Sequence, residues 1–306
     1  MKTSMIKIVL VYIMLCFIWG STWLAIRFGL ESLTPFCSVG LRFVLASVFI
    51  FSLMKLRGIN LQTDKISIRL YFIMGYFSFV IPFGLVYWAE QFVPSGIAAV
   101  LFAVFPFFVL IFSYLFIHDA SIDVFKVVGI FLGFSGIVVI FSDQFVGEIT
   151  DYIIGMIAIV ISATMQAGIV TTIKKYGHHL NPLSMNFIPM LIAGFSMLAI
   201  SFAFEDISKN TLEPSGVISI LYLAFFGSLI TFTSYYWLLK KINIVILSFT
   251  AFITPITALI LGYLIYNEEL SSGDFIGAIL VLAGVFSANI GNLIKMRKKS
   301  LLEAGG

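Results

Sequence analysis

Ten segments of the sequence are long and apolar enough to cross a lipid bilayer as α-helices. Such a helix needs about 20 mainly apolar residues, and the connections between these segments are too short for a soluble domain. Their even apolarity also excludes the alternating strands of an outer-membrane barrel. The sequence therefore predicts an all-α polytopic membrane protein. The predicted spans are 6–27, 35–56, 69–89, 96–117, 124–142, 152–173, 183–204, 216–238, 245–266 and 274–294.

The composition fits a chain whose surroundings are mostly lipid. Hydrophobic residues make up 60% of the sequence and charged residues 11%, against roughly 45–50% and 25% in soluble domains. The net charge of +3 reflects membrane topology and gives no indication of nucleic-acid binding. Cys16 and Cys37 lie in apolar stretches without partners at metal-ligand spacing, so they are interpreted as small hydrophobic residues.

Basic residues are distributed very unevenly over alternate sides of the predicted spans. Fifteen Lys and Arg fall on one side and three on the other, which predicts cytoplasmic N- and C-termini in a cell or bacterial inner membrane. The first span resembles a signal peptide, but it lacks a small-residue cleavage site, and we expect it to be retained. The three residues on the sparse side are Arg27, Arg42 and Lys209.

The two halves of the chain repeat several landmarks at nearly constant spacing. Because each half has five spans, the second must enter the membrane from the opposite side, as in the inverted repeats of secondary transporters. The predicted units are residues 6–142 and 152–294, followed by a basic cytoplasmic tail at 295–306. The repeated pairs are Tyr87-Trp88 with Tyr236-Trp237 and Pro106 with Pro255 (offset 149), Pro35 with Pro182 and Arg27 with Lys174 (offset 147), and Gly129 and Gly136 with Gly277 and Gly284 (offset 148).

The sequence resembles the EamA branch of the drug/metabolite transporter superfamily. The similar motifs are the run Trp19-Gly20-Ser21-Thr22-Trp23, the stretch 87–106 (YWAEQFVPSGIAAVLFAVFP), and Glu268 ahead of Gly277 and Gly284. His118-Asp119 departs from the family pattern, which has Glu there. The resemblance implies ten helices, two EamA units, and export or exchange of small metabolites.

Aromatic and polar side chains inside the spans are candidates to line a substrate cavity. Trp19 and Trp23 share one helix face; an interfacial aromatic belt is the alternative, although Trp19 lies near the midplane. The two small polar residues between them could allow close helix packing or offer hydroxyls to a substrate. Gln166 aligns with Trp19 in the second half, and its amide needs partners from neighbouring helices or from a ligand. The cavity candidates are Trp19, Ser21, Thr22, Trp23, Tyr87, Gln166 and Tyr236.

Arg42 and Glu90 are candidates for gating or coupling. An arginine within the membrane indicates a functional role, and the repeat mate of Arg42 is the neutral Pro189. Glu90 could pair with Arg42 at an outer gate or carry a coupling proton, and Glu31 is a competing partner. The alternatives are that Arg42 snorkels to the interface and that Glu90 is simply solvated.

Two prolines near the middle of spans four and nine are further gate candidates. Pro106 and Pro255 each remove a backbone donor, which leaves the carbonyls of Phe102 and Ala251 without their usual helical bonds. Kinking alone is the alternative to a gating role. Three acidic residues near helix starts are interpreted as structural caps: Asp123, Glu268 and Asp274.

These observations favour a secondary transporter of small organic metabolites, such as amino acids or related amphiphilic compounds, working by alternating access. An intramembrane enzyme or a receptor-like binding protein is the alternative. No phosphate loop, paired catalytic carboxylates or nucleophile triad is found, so we expect no enzyme activity, no cofactor and no catalytic residues. His178-His179 has no further ligands, so we expect no metal site. The expected partners are a small-molecule substrate and the bilayer, with a coupling proton and a homodimer as open alternatives.

Overall fold

The computed structural model describes residues 5–117, 124–144, 150–211, 213–242, 244, 247 and 250–304. Within these ranges the chain is helical and contains no strand, which confirms the predicted all-α class. His118, Asp119 and Asp123 lie outside the described residues. The helices are α1 (Met5–Leu30), α2 (Pro35–Leu56), α3 (Lys65–Ala89), α4 (Ser95–Phe116), α5 (Val124–Gln144), α6 (Asp151–Tyr176), α7 (Ser184–Phe204), α8 (Pro214–Leu239), α9 (Thr250–Tyr266) and α10 (Ser272–Ala304).

The helices α1 to α8 each contain a stretch long and apolar enough to cross a membrane. They coincide with the first eight predicted spans to within about four residues, because span length is set by the bilayer thickness. In the described part of α9 and α10 the apolar stretches are shorter, Ile253–Tyr266 and Ser272–Ser287.

Local sequence accounts for where several helices begin. Pro35 opens α2 at a position where its missing N–H is not needed. Asp64 precedes α3 and accepts hydrogen bonds from the amides of Ile66 and Ser67, both at 3.1 Å. Thr150 caps α6 through the amide of Ile153 at 3.4 Å. These caps satisfy N–H groups that the helices themselves leave free.

Two acidic residues predicted to be structural do cap helices, but in different ways. Asp274 and Ser271 exchange bonds at the start of α10: the Ser271 amide donates to Oδ2 at 3.1 Å, and the Asp274 amide donates to the Ser271 Oγ at 2.9 Å. The Glu268 carboxylate instead accepts from the amides of Ser95 (2.8 Å) and Gly96 (3.0 Å), at the start of α4. Glu268 therefore ties the turn after α9 to α4.

Helices α3 and α8 each contain one π-helical turn. The turns are Gly75–Val80 and Phe225–Ile230, and they are separated by 150 residues. A π-turn contains one residue more than a regular α-helical turn, and such turns are frequent at functional sites. The two turns lie at almost the spacing of the sequence repeat, so the backbone also has a feature that recurs in both halves.

The two prolines predicted to kink their helices behave differently. Helix α4 is broken into Ser95–Phe102 and Phe105–Phe116, with Pro106 in the first turn of the second piece. Pro255 lies inside the uninterrupted helix α9. A proline removes one backbone bond in either case, but only in α4 does the chain leave the helical path.

The pattern of contacts between helices is the same for the two halves of the chain. It does not change when α1 to α5 trade places with α6 to α10 in order. Helix α1 packs on α8 and α9, and α6 packs on α3 and α4. Helix α2 packs on α7, and α5 packs on α10, so each of these two pairs is its own counterpart.

The contact between α5 and α10 is close because glycines meet there. A Cβ at Gly136 would lie 2.5 Å from the Gly277 oxygen, and one at Gly284 would lie 2.5 Å from the Gly133 nitrogen. The glycines of α5 are therefore used for helix packing inside this chain.

Candidate functional site

A cavity of about 120 Å³ lies among seven helices. The lining residues come from α1, α3, α4, α6, α8 and α9, and α2 adds one further residue. Of the described residues in α5, α7 and α10, none lines it. The lining residues are Trp19, Thr22, Trp23, Ile26, Arg42, Phe83, Val86, Phe102, Ala103, Phe105, Ser162, Gln166, Val170, Phe232, Tyr235, Tyr236, Thr250, Ala251 and Thr254.

Aromatic side chains form most of the cavity wall. The ring of Trp19 lies 5.5 Å from Phe232 and 5.1 Å from Tyr235, both on α8. Trp23 contacts Phe102 of α4 edge-on, with 5.6 Å between ring centroids. Both tryptophans thus lie on the cavity side of α1 and bridge it to neighbouring helices.

The two hydroxyl residues between the tryptophans lie on different sides of α1. Thr22 lines the cavity, and its hydroxyl donates to the Trp19 carbonyl at 2.7 Å. Ser21 is not among the lining residues: its Oγ bonds to the Ile18 carbonyl at 2.8 Å and lies 2.6 Å from the Tyr222 hydroxyl. Successive residues on a helix point about 100° apart; here Thr22 points toward the cavity and Ser21 toward Tyr222 of α8.

Gln166 connects the cavity to the π-turn of α3. Its Nε2 donates to the Ser78 carbonyl at 2.9 Å, and the Ser78 hydroxyl donates back to Oε1 at 2.7 Å. The amide that the sequence places at mid-depth thus finds its partners on a neighbouring helix, while the side chain also lines the cavity.

Arg42 is a buried cation at the cavity edge. The side chain is 2% exposed and donates from Nε to the Ser228 hydroxyl (3.0 Å), from Nη1 to the Tyr87 hydroxyl (3.1 Å) and from Nη2 to the Gly227 carbonyl (3.0 Å). Two of these acceptors belong to the π-turn of α8. The guanidinium also lies 5.2 Å from the ring centre of Phe83. Arg42 therefore faces inward and does not snorkel.

Glu90 is completely buried and is not paired with Arg42. Neither carboxylate oxygen has a hydrogen-bond partner among the described residues, and the side chain does not line the cavity. Tyr87 lies one turn earlier on the same helix face and takes the contact that was predicted for Glu90. The backbone carbonyl of Glu90 instead accepts a hydrogen bond from Arg27 Nη1.

The two predicted tyrosines differ in their position. Tyr236 lines the cavity and is 2% exposed, whereas Tyr87 is fully buried behind the wall and holds Arg42. Pro106 and Pro255 lie next to lining residues of α4 and α9 without lining the cavity themselves.

The cavity wall is built from matched positions of the two halves. Residues from α3 and α4 recur 149 positions later in α8 and α9, and residues from α1 recur 147 positions later in α6. Applied to the candidate Trp23, the repeat offset predicts Val170; the other missed lining residues, such as Phe83 and Phe102, have no predicted candidate as counterpart. The matched pairs are Trp19 with Gln166, Trp23 with Val170, Phe83 with Phe232, Val86 with Tyr235, Phe102 with Ala251, and Phe105 with Thr254.

A hydrogen bond from a basic side chain to a backbone carbonyl occurs at matching helix ends in the two halves. Arg27, at the end of α1, donates to the carbonyl of Glu90 after α3, and Lys174, at the end of α6, donates to the carbonyl of Leu239 at the end of α8, at 2.7 Å. The offsets are 147 for the cations and 149 for the carbonyls. Cations near helix C-termini satisfy carbonyls that lack intrahelical partners.

Comparison with known proteins gives consistent matches over nearly the whole chain. The chain is 32% identical over 285 residues to "Uncharacterized inner membrane transporter YedA" of Escherichia coli (strain K12), covering 90% of this chain and 89% of that protein. It is 26% identical over 283 residues to "Uncharacterized transporter YoaV" of Bacillus subtilis (strain 168), covering 92% and 96%. A solved crystal structure shares the fold, with a TM-score of 0.71 at 17% identity over 93% of this chain and 98% of the other.

A family model described as the EamA-like transporter family matches the chain twice, over residues 6–142 and 153–290. With eight helices of membrane length in the described part of the sequence, the chain is an integral multi-pass membrane protein. It belongs to the EamA-like transporter family.

Proposed function

We propose that this protein is a secondary transporter, an exporter or exchanger, that moves small organic metabolites by alternating access around the described cavity. Amino acids and related amphiphilic compounds fit the combination of aromatic walls and few polar groups. The observation that carries the proposal is the matched lining: six pairs of positions related by the repeat offset meet at one cavity.

The proposed architecture is ten transmembrane helices arranged as two inverted five-helix repeats, residues 6–142 and 152–294. The exchange of packing partners, the recurring π-turns and the repeated cation–carbonyl contact support it. If two such halves can adopt each other's conformation, the cavity can open to either side without a new fold. The basic tail at 295–306 and both termini then lie in the cytoplasm, in a cell or bacterial inner membrane.

Flux measurements test the transport function. Purified protein in proteoliposomes should move at least one metabolite from an amino-acid panel, and comparing traces with and without a proton gradient shows whether protons are coupled to the movement. Binding without flux in every condition would favour the receptor-like alternative, and a chemically altered metabolite would favour the enzyme.

Access to the cavity from both sides tests the mechanism. Phe83→Cys and Phe232→Cys, made separately in a Cys16→Ala/Cys37→Ala background, place thiols at matched wall positions. Alternating access predicts that a membrane-impermeant thiol reagent labels each variant from either side of the membrane. Labelling from one side only, for both variants, would contradict the mechanism.

A further inference from the structure

The cavity carries an unbalanced positive charge. Of the described lining residues, Arg42 is the only charged side chain; the other polar members are Thr, Ser, Gln and Tyr. Among the described residues no carboxylate oxygen lies within ion-pair distance of its guanidinium. The Glu90 carboxylate interacts electrostatically with Arg27, Glu268 and Arg42, but it lies outside ion-pair distance of Arg42. A buried charge without a counter-ion is costly.

The hydrogen bonds of Arg42 leave donors unused. A guanidinium has five N–H groups, and three of them are bound to Ser228, Tyr87 and Gly227. One N–H on each terminal nitrogen has no acceptor among the described residues. The bound donors fix the group in place, so its free donors are held ready for a ligand. Two N–H groups on neighbouring nitrogens match the spacing of the two oxygens of a carboxylate.

Arg42 also lacks a counterpart in the other half of the cavity wall. Six pairs of lining positions are matched between the halves, but the repeat mate of Arg42 is Pro189, which does not line the cavity. Because the charge stands on one half only, it breaks an otherwise matched lining. A purely structural role for Arg42, tying α2 to α3 and α8, explains its three bonds but not the missing counter-charge.

We infer that Arg42 is the binding site for a single carboxylate of the transported substrate, whose apolar body packs against Trp19, Trp23 and Phe232. The ligand class is a small monocarboxylate with an apolar or aromatic body. A polyanion would meet one cation only, and a simple amine would meet no acidic group among the described lining residues. This inference rests on the proposed function, since it assigns the recognition element of the same cavity.

A matched ligand series tests the inference on the unmodified protein. The probes are 3-phenylpropionate, 3-phenylpropionamide and 3-phenylpropylamine, which share one apolar body and differ in the terminal group. Binding to purified protein in detergent is followed through tryptophan fluorescence, since Trp19 and Trp23 line the cavity. The carboxylate should bind about tenfold or more tighter than the amide, as expected for hydrogen bonds to a charged group. Equal affinities, or no binding of the carboxylate, would overturn the inference.

Variants at Arg42 test whether this residue causes the preference for the carboxylate. Arg42→Gln should abolish the preference for the carboxylate, and Arg42→Lys should retain part of it, because the charge remains while the fork geometry is lost. Thr164→Val changes a residue that does not line the cavity and whose hydroxyl bonds within its own helix, so it should leave the preference intact. Thermal unfolding of each variant separates lost binding from lost folding. A carboxylate preference that persists in folded Arg42→Gln would also overturn the inference.

The two proposals fail in different ways. Flux of amino acids through the wild-type protein without any carboxylate preference would leave the transporter function standing and remove the role of Arg42. Tight carboxylate binding that depends on Arg42, without flux of any metabolite, would support the binding site and contradict transport.

Discussion

Gln166 and Ser78 form a reciprocal pair of hydrogen bonds between α6 and the π-turn of α3, at 2.9 and 2.7 Å. Both residues are buried or nearly so, and Gln166 also borders the cavity. The pair therefore links the shape of the cavity to an irregular turn of a neighbouring helix.

Removing this pair should destabilise the protein. Gln166→Leu leaves the Ser78 hydroxyl and carbonyl without their partner, and an unsatisfied buried group costs about 1–3 kcal/mol. We expect a lower thermal unfolding temperature in detergent and reduced transport. Thr164→Val is the matched control, because its hydroxyl bonds only to Val160 of its own helix. Unchanged stability in Gln166→Leu would show that water replaces the lost bonds.

Trp19→Ala should reduce transport with little loss of expressed protein. The side chain lines the cavity and contacts two rings of α8, so its removal enlarges the binding space. Trp88→Ala is the comparison, since Trp88 lies at the end of α3 against Phe92 and does not line the cavity. Flux in proteoliposomes measures both. Equal activity of Trp19→Ala and wild type would assign Trp19 to packing.

Arg42 and Tyr87 should be energetically coupled. Their side chains are joined at 3.1 Å, so Arg42→Gln and Tyr87→Phe should together change stability by less than the sum of the single effects. The coupling is expected to be about 0.5–3 kcal/mol, measured by a double-mutant cycle of thermal unfolding. A cycle pairing Arg42→Gln with Glu90→Gln should give a smaller value, because among the described residues those side chains share no hydrogen bond or ion pair.

Glu90→Gln should remove the dependence of transport on a proton gradient while exchange continues. We propose Glu90 as the proton carrier because its carboxylate is fully buried without a hydrogen-bond partner among the described residues. Gln keeps the size of the side chain and cannot exchange a proton. Flux of one metabolite with and without an imposed gradient measures the effect. Retention of the full gradient dependence would exclude this role.

The topology prediction concerns the basic tail. A reporter fused after Lys299 should be active only if it is a cytoplasmic type, because fifteen of the eighteen basic residues fall on that predicted side. A reporter fused between Ser208 and Lys209, in the connection after α7, should behave in the opposite way. A periplasmic signal after Lys299 would reject the proposed orientation.

The sequence predicts the helices well because apolar length is a property of each segment alone. It also indicated Trp19, Trp23, Gln166 and Tyr236 as cavity candidates, and these four residues line the cavity in the structure. The direction of a side chain around its helix was harder to predict. Ser21 and Thr22 are equally small and polar, and only the packing of α1 on α8 decides between them.

The pairing of Arg42 with Glu90 was wrong for a related reason. Both residues were placed at similar depth, but depth does not specify contact, and Tyr87 one turn away reaches Arg42 instead. The acceptors Ser228 and Gly227 belong to a π-turn, which leaves no composition signal in a single sequence. The bonds that hold the cation could therefore be found only in three dimensions.

The π-turns have a consequence for the rotational phase of the cavity wall. One residue corresponds to about 100° around an α-helix, but a π-turn takes up one extra residue within a single turn. Deleting one residue from Gly75–Val80 would therefore restore regular winding and leave the following part of α3 with nearly the same direction around its axis. Phe83 and Val86 would still face the cavity, while the contacts made within the turn itself would change. The same deletion in Phe225–Ile230 would leave their counterparts Phe232 and Tyr235 in place. Each π-turn thus absorbs one inserted residue without turning the aromatic wall that follows it.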